Sequence, residues 1–498
     1  MISSISLETA VLILGIIMLL MESFSKSEDK RGLARMAIAV LLALVGFSFF
    51  ARADVGNLAP FYIADPTALF FKRIALLTTI VVLIMALEYK DVLAKFIPSA
   101  TPGAGLGEFY SLPVFTCAGL MFMASAVDFL LIFVSLELVT ISFYILVAYM
   151  RRQSASLEAG VKYLILGALS TGFFVYGITW IFGVTGQTNL ELIRQVVAAG
   201  HVPQAPFLFG VVLILVGLGF KVAAVPFQLW VPDVYQGAPT PVTAFLSVGS
   251  KAAGFIVLLR VLQPFLAAPG AGEKILMVLA VIAGATLIYG NLAALPQDNF
   301  KRLLAYSSIA HAGYLLIAVA SVSGSPEGFG SSRVAVAYYL AGYLLMTLLS
   351  FLVMIVVANH SRGDDIAHFN GLAKRSPFLA FGLLVAMLSL AGVPFTVGFF
   401  GKFLVFATAV QAHNYGLIGI GIVTVGAGFY YYLRVVAAMY WQEPGDETVI
   451  KVAPLTKFTV GILALFIFIF GIFPQPILKS LKGVPIETRV VTHPVAQK

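Results

Sequence analysis

The sequence predicts an all-α, polytopic membrane protein of about 14 transmembrane helices, with two inverted five-helix repeats and two discontinuous helices. Three observations lead there. The 498 residues are 60% hydrophobic and only 11% charged, against roughly 25% charged in soluble domains. Apolar runs of the ~20 residues that cross a bilayer as helix recur along the chain. Two of these runs carry an internal proline in matching surroundings, "AVPF" from Ala224 and "GVPF" from Gly392.

In order, the runs cover 5 to 22, 33 to 51, 67 to 87, 110 to 127, 129 to 150, 158 to 182, 207 to 230, 239 to 263, 274 to 295, 302 to 322, 333 to 359, 376 to 411, 416 to 440 and 455 to 475. The first contains Glu8 and lacks both a basic flank and a small-residue cleavage site, so it reads as a retained span and not a signal peptide. The chain reads as one membrane domain, 1–498. Within it lie a three-helix segment at 1–109, a first repeat at 110–265, a second, inverted repeat at 274–440 and a final span at 455–475.

Loop charges set the orientation. Odd-numbered loops hold fourteen lysines and arginines, among them Lys26, Lys90, Arg151, Arg302, Arg362 and Lys374, whereas even-numbered loops hold only Arg52, Arg194, Lys274 and Arg333. By the positive-inside rule the odd loops are cytoplasmic and both termini lie outside. The tail, with Lys479, Lys482, Arg489 and Lys498, opposes the rule but comes late in the chain. The net charge of +8 is thus a topology and headgroup signal and not a nucleic-acid footprint. One cysteine, Cys117, cannot build a disulfide or an iron–sulfur ligand set within the chain.

The two proline motifs are 168 residues apart. Looser echoes lie at similar offsets: "YLILG" from Tyr163 against "YLAGY" from Tyr339, and Glu137 against His311. These define a five-helix unit occurring twice. Five crossings is odd, so the second copy is inverted, an arrangement typical of transporters with broken helices and midplane sites. Pro226 and Pro394 mark the breaks, because proline removes a backbone donor and clashes with the preceding turn. The freed carbonyls are tolerable at membrane depth only beside protein or water.

Five ionisable residues fall near the middle of spans: Glu137, Lys221, Lys251, His311 and Lys402. A lysine or carboxylate at the centre of a span costs ~2.5–3.5 kcal/mol on insertion scales. A desolvated lysine or a histidine exchanges a proton near neutral pH, so the set is a candidate proton relay. In this reading Glu137 pairs with Lys221 and tunes it, Lys251 and His311 are intermediate stations, and Lys402 is the exit-side donor. Lys72, Arg73 and Lys162 read as stems reaching the interface from span ends, with Arg260 and Arg434 similar. Asp128 and Asp233 sit at a turn and at a span end. "PGAGLG" from Pro102 reads as a connection with no strand before it, and "NLELIRQVVAAG" from Asn189 as a short amphipathic surface helix.

The stretches "DFLLIFVSLELVTISFYILVA", "EAGVKYLILGALSTGFFVYGI", "FKVAAVPFQLWVPDVYQGAPTPVTAFLSVGSKAAGF", "NFKRLLAYSSIAHAGY" and "SLAGVPFTVGFFGKF" resemble the antiporter-like membrane subunits of respiratory complex I, the bacterial NADH-quinone oxidoreductase, and within them the subunit N branch. The resemblance covers nearly the whole chain. It implies a 14-helix fold with inverted repeats in a bacterial inner membrane, and proton translocation driven by redox chemistry elsewhere in a complex. Carried over, Glu137 matches the family's key glutamate, Lys221 and Lys251 its two central lysines, Lys402 the lysine of the second broken helix and His311 a polar position in span 10. It also implies that the flavin, iron–sulfur clusters and quinone site belong to partner subunits, with no cofactor or metal in this chain. Its partners would be other complex I membrane subunits, lipid, water and protons. Two other readings stay open: a component of a secondary sodium or potassium/proton antiporter, and a non-conducting scaffold.

Overall fold

The computed structural model describes residues 4–25, 29–51, 60–98, 105–322, 326–361, 363–445 and 448–481. Lys26, Arg52, Arg362, the start of the Pro102 connection and the charged tail beyond Leu481 lie outside the described residues. Three helices come first, α1 (Ile5–Phe24), α2 (Arg31–Ser48) and α3 (Pro66–Glu88), followed by a short α4 (Lys90–Phe96). The first five-span unit is α5 (Leu106–Ser125), α6 (Phe129–Val147), α7 (Ser154–Thr185), a broken span of α9 (Gln204–Val222) and α10 (Val231–Gly237), and a fifth span. That fifth span runs through α11 (Thr240–Phe245), a π turn (Leu246–Ser250) and α12 (Lys251–Leu266). The amphipathic α8 (Leu190–Ala198) lies between α7 and α9 where the sequence places it, burying Leu190, Ile193 and Val197.

The second unit is α13 (Gly272–Ala294), α14 (Phe300–Ala320), α15 (Pro326–Ser361), a broken span of α17 (Pro377–Ala391) and α18 (Val397–Gln411), and α19 (Tyr415–Trp441). The four-residue α16 (Leu372–Arg375) precedes α17; α20 (Pro454–Ile472) and α21 (Gln475–Leu481) close the described chain. Among the described residues thirteen helices are long and apolar enough to cross a membrane, and α17 with α18 supplies a fourteenth crossing in two halves.

The units share their wiring. In each, the first helix packs on the second, the third packs on both halves of the broken fourth, and the fifth packs on its first half. A connection motif also repeats. Asp128 caps α6, forms a β-bridge to Asn189, and is flanked by Phe129 N to Thr188 O and Leu190 N to Val127 O. Asn299 caps α14 and bridges Asp365 in the same pattern, with Phe300 N to Asp364 O and Ile366 N to Asp298 O. Five crossings separate the start of α6 from the start of α14, so the two motifs sit on opposite faces. Asp128 is therefore committed to capping, with Leu130 N and Thr188 Oγ1 as its donors.

The breaks fall where proline dictates. A proline ring clashes with the carbonyl four residues back, and α9 ends at Val222, four before Pro226, while α17 ends at Ala391, three before Pro394. The seventh span thus stops earlier than the run 207 to 230 implies, and resumes as α10 beyond Trp230. Both first halves end on a left-handed residue, Ala223 (φ 64°) and Gly392 (φ 91°). At Ala223 this conformation carries the steric cost of a Cβ.

The second unit depends on one close helix contact. A Cβ on Gly290 of α13 would stand 2.5 Å from Ala310 N and 2.9 Å from its Cα, and one on Gly313 of α14 would stand 2.8 Å from Leu287 N. Backbone meets backbone at both points, so neither helix can yield. Gly290→Val is expected to lower the yield of folded protein several-fold, the overpacking cost being ~1–3 kcal/mol or more. Gly183→Val, at a position with open space around it, is expected to leave yield unchanged; size-exclusion profiles in mild detergent measure both.

Candidate functional site: a buried lysine, histidine and tyrosine row

Lys221 lies in the last turn of α9, immediately before the first break. Its buried Nζ donates to Thr140 Oγ1 of α6 at 2.5 Å. The predicted contact with Glu137 is not made: no ion pair within 4.0 Å joins them, and Glu137 instead accepts from Thr171 Oγ1 of α7 at 2.9 Å. The physical reason is the helical period. Glu137 shares a face of α6 with Leu130, Val134, Ile141 and Ile145, at spacings of three, four, seven and eight residues, and all four are exposed. Thr140 lies on the other flank of the helix, in register with the buried Leu136, Phe143 and Val147, and points to the interior. Glu137 is therefore half-exposed on an apolar lateral face while the threonine meets the lysine.

The carbonyls freed at the first break are taken up locally. Phe220 O accepts from Trp230 Nε1 at 3.1 Å, Gly219 O from Ala224 N at 2.9 Å, and Val225 N donates to Thr286 Oγ1 of α13 at 3.0 Å. Gln228 is buried there, its Oε1 without a hydrogen-bond partner among the described residues. At the second break the capping group is the lysine. Lys402, on α18, reaches back to donate to Leu390 O at 3.0 Å and Ala391 O at 2.8 Å, the last carbonyls of α17. A cation at a helix C-terminus is favourable for both hydrogen bonding and the helix dipole. Both lysines thus mark breaks, Lys221 before the first and Lys402 after the second.

Between them runs a line of buried polar groups. Lys251 opens α12 directly after the π turn, a local widening common at functional positions. Its Nζ donates to Ser308 O and, at 2.5 Å, to Ser308 Oγ of α14, and stands 5.2 Å from the centre of the Tyr343 ring. Lys221 and Lys251 are on facing turns, since a Cβ on Gly254 would lie 3.5 Å from Lys221 Cβ. Ser308 Oγ also meets Tyr235 OH, 3.2 Å away on α10, tying Lys251 to the far half of the first broken helix.

One turn along α14, His311 Nδ1 lies 2.7 Å from Tyr339 OH and Nε2 lies 3.1 Å from Tyr432 OH, which in turn meets Ser307 Oγ at 2.5 Å. The Tyr343 ring lies between Lys251 and the His311 ring, 5.1 Å from the latter. Lys402 Nζ stands 5.0 Å from the centre of the Tyr314 ring, and Gly401 beside it lets the Tyr339 ring approach. The structure therefore brings Lys221, Lys251, His311 and Lys402 into one buried row and leaves Glu137 at its edge. Hydrogen bonds link Lys251 to Tyr235 through Ser308, and Ser307 to Tyr339 through Tyr432 and His311. No side-chain hydrogen bond among the described residues spans Lys221 to Lys251 or Tyr339 to Lys402.

The bridging hydroxyls of Tyr235, Tyr432, Thr140 and Ser308 carry no span-centre charge, so the buried charges in the sequence do not point to them. The usable signal was spacing: Ser307 and Ser308 precede His311 by four and three positions, and Tyr339 and Tyr343 are four apart in "YLAGY". Two span-end assignments are corrected. Lys72 does not reach the interface; it is fully buried against Glu8, 2.8 Å away. Arg260 is mostly buried and paired with Asp65 at 2.9 Å. Lys162 behaves as expected, part-exposed between Glu158 and Asp233, with Arg302 on the same aspartate.

Comparison with known proteins agrees with this architecture. The transmembrane family described as NADH:quinone oxidoreductase/Mrp antiporter matches residues 126–428. NADH-quinone oxidoreductase subunit N of Desulforamulus reducens is 39% identical over 477 residues, covering 95% of this chain and 96% of the relative. NADH-quinone oxidoreductase subunit N 2 of Rhizobium meliloti is 40% identical over 466 residues, covering 93% of each. A chain of respiratory complex I from Thermus thermophilus superposes with a TM-score of 0.78 at 31% identity, covering 95% of this chain and 99% of its own. A chain of the Mrp complex from Dietzia shares the fold, with a TM-score of 0.78 at 18% identity over 96% of each. By family match and by identity over nearly its full length, the chain belongs to the NADH:quinone oxidoreductase/Mrp antiporter family of membrane subunits.

Proposed function

We propose that this chain is a proton-translocating membrane-arm subunit of an NADH-quinone oxidoreductase, the complex whose subunit N it matches over 95% of its length. The observation that carries the reading is the buried row from Lys221 to Lys402, set between two helix breaks and spaced by tyrosine and serine hydroxyls. Lysines, a histidine and hydroxyls at that depth exchange protons, and broken helices beside them are tolerated where polar groups or water satisfy the backbone. Glu137 modulates Lys221 through space, with Thr140 and Thr171 holding the two ends. Lys251 and His311 pass protons through Ser308, Tyr432 and Tyr339, and Lys402 delivers them at the second break.

The half-exposed Glu137 on an apolar face also supports a partner. A carboxylate facing lipid at mid-depth is costly, so a neighbouring membrane subunit of the complex covers the α6 face. In this reading flavin, iron–sulfur clusters and quinone chemistry lie in other subunits, and the lysine and arginine excess in the odd-numbered loops supports both termini lying outside a bacterial inner membrane. The test is NADH-driven acidification of proteoliposomes holding the complex at nominally zero sodium. We expect full-rate proton movement without sodium; movement that needs added sodium or potassium would instead assign a cation/proton exchanger.

A further inference from the structure

A second sealed cluster of ionisable groups lies away from the row. Glu8, in the first turn of α1, and Lys72, in the second turn of α3, form an ion pair with both side chains 0% exposed. Lys72 Nζ also donates to Ser4 Oγ at 2.6 Å and Tyr62 OH at 2.5 Å, so three acceptors engage its three N–H bonds. Tyr62 OH donates to Glu8 Oε1 at 3.0 Å, whereas Glu8 Oε2 is buried with no hydrogen-bond partner among the described residues. Beside the pair stands a second one, Asp65 with Arg260 of α12, whose guanidinium also holds Ala124 O at 2.9 Å. Segment 60–65 covers the cluster, stitched down by Ile63 N to Ser125 O and Val127 N to Phe61 O.

A sealed ion pair is an expensive way to fasten helices, because each charge loses its hydration and apolar side chains of similar volume fasten them as well. The arrangement is also unsymmetrical: the ammonium is saturated, and the carboxylate keeps one oxygen free. That oxygen is an acceptor with no donor among the described residues, in the first turn of α1.

We infer that Glu8 and Lys72 form a second proton-holding site, separate from the midplane row, whose ligand is the proton itself. Glu8 Oε2 takes up one proton, forming an O–H bond and a neutral carboxyl beside the Lys72 ammonium. A half-turn of the carboxyl brings that O–H to the Tyr62 hydroxyl now facing Oε1; breaking the bond then returns the proton as Tyr62 accepts it and passes its own to Ser4 Oγ, 3.2 Å away. Lys72, Tyr62, Asp65, Arg260 and the Cys117 thiol of α5 are charged and titratable groups around the site, and Arg260 links it to the helix that carries Lys251. The inference rests on the proton-translocating reading above.

The experiment uses the intact complex in proteoliposomes, comparing Glu8→Gln, Lys72→Met and the double variant. Each single change strands a buried group of the other sign and is expected to reduce assembly. The double variant leaves no unpaired charge and is expected to restore assembly while protons moved per electron stay at least twofold below wild type. Wild-type translocation in the double variant overturns the inference. Failure of the double variant to assemble also overturns it, making the pair a structural tie. Glu137→Gln in parallel separates the two claims: if it moves protons at the wild-type rate the functional reading fails, and if it stops while the double variant does not, only this inference fails.

Discussion

Lys251→Met in the assembled complex is expected to lower NADH-driven proton translocation at least tenfold while assembly stays at wild-type level. The ammonium is buried, and its contacts are Ser308 and the face of the Tyr343 ring. Methionine keeps most of the stem volume and removes a charge whose burial near a span centre costs ~2.5–3.5 kcal/mol, so the fold gains or holds its stability. Ser308 Oγ keeps its contact with Tyr235, leaving no stranded hydroxyl. Lost transport with intact assembly therefore reports the missing proton carrier. Lys251→Arg is expected to fail as well, since the guanidinium holds its proton and its planar fork does not fit a site shaped for a compact ammonium. Acidification traces with a pH-sensitive dye, scaled to complex content on native gels, measure both variants.

The row is built by elements far apart in sequence. The π turn sets Lys251 against α14, the Gly290 and Gly313 contact fixes α14 against α13, and the two breaks place Lys221 and Lys402 beside freed carbonyls. A relay needs such rigid spacing: hydroxyls between 2.5 and 3.2 Å from their neighbours pass protons only if the helices that carry them keep register. The repeated cap-and-bridge motifs at Asp128 and Asn299 serve the same end by locking the second helix of each unit to the segment after its third.

Much of this was legible in the sequence, for one reason. Hydrocarbon leaves the backbone no partner but itself, so spans must be helical and their lengths show in composition. Pro226 and Pro394 located the breaks because the ring clash acts on the turn just before. What was not legible is which way side chains point. Spans such as α6 are apolar all round, so periodicity does not separate the face of Glu137 from that of Thr140, and the expected carboxylate–lysine contact became a threonine–lysine contact. Lys72 reads as a snorkelling stem because its partner, Glu8, lies on a different span, and only the packing of both α1 and α3 on α5, with Tyr62 between the two side chains, brings them together. Tyr432 likewise gave no local sign that it faces His311 across from α19.

Glu137→Gln separates a transport role from a packing role more cleanly than any other change in the row. The side chain is half-exposed, its hydrogen bond among the described residues is the one from Thr171, and glutamine keeps an acceptor oxygen for that hydroxyl. Folding has little to lose, whereas the charge that acts on Lys221 is removed. The decisive measurement is the number of protons moved per electron passed from NADH to quinone, in proteoliposomes, for Glu137→Gln against wild type at equal assembly. The account predicts a loss of at least tenfold. An unchanged ratio would contradict it, and so would a loss of transport that only follows a loss of assembly.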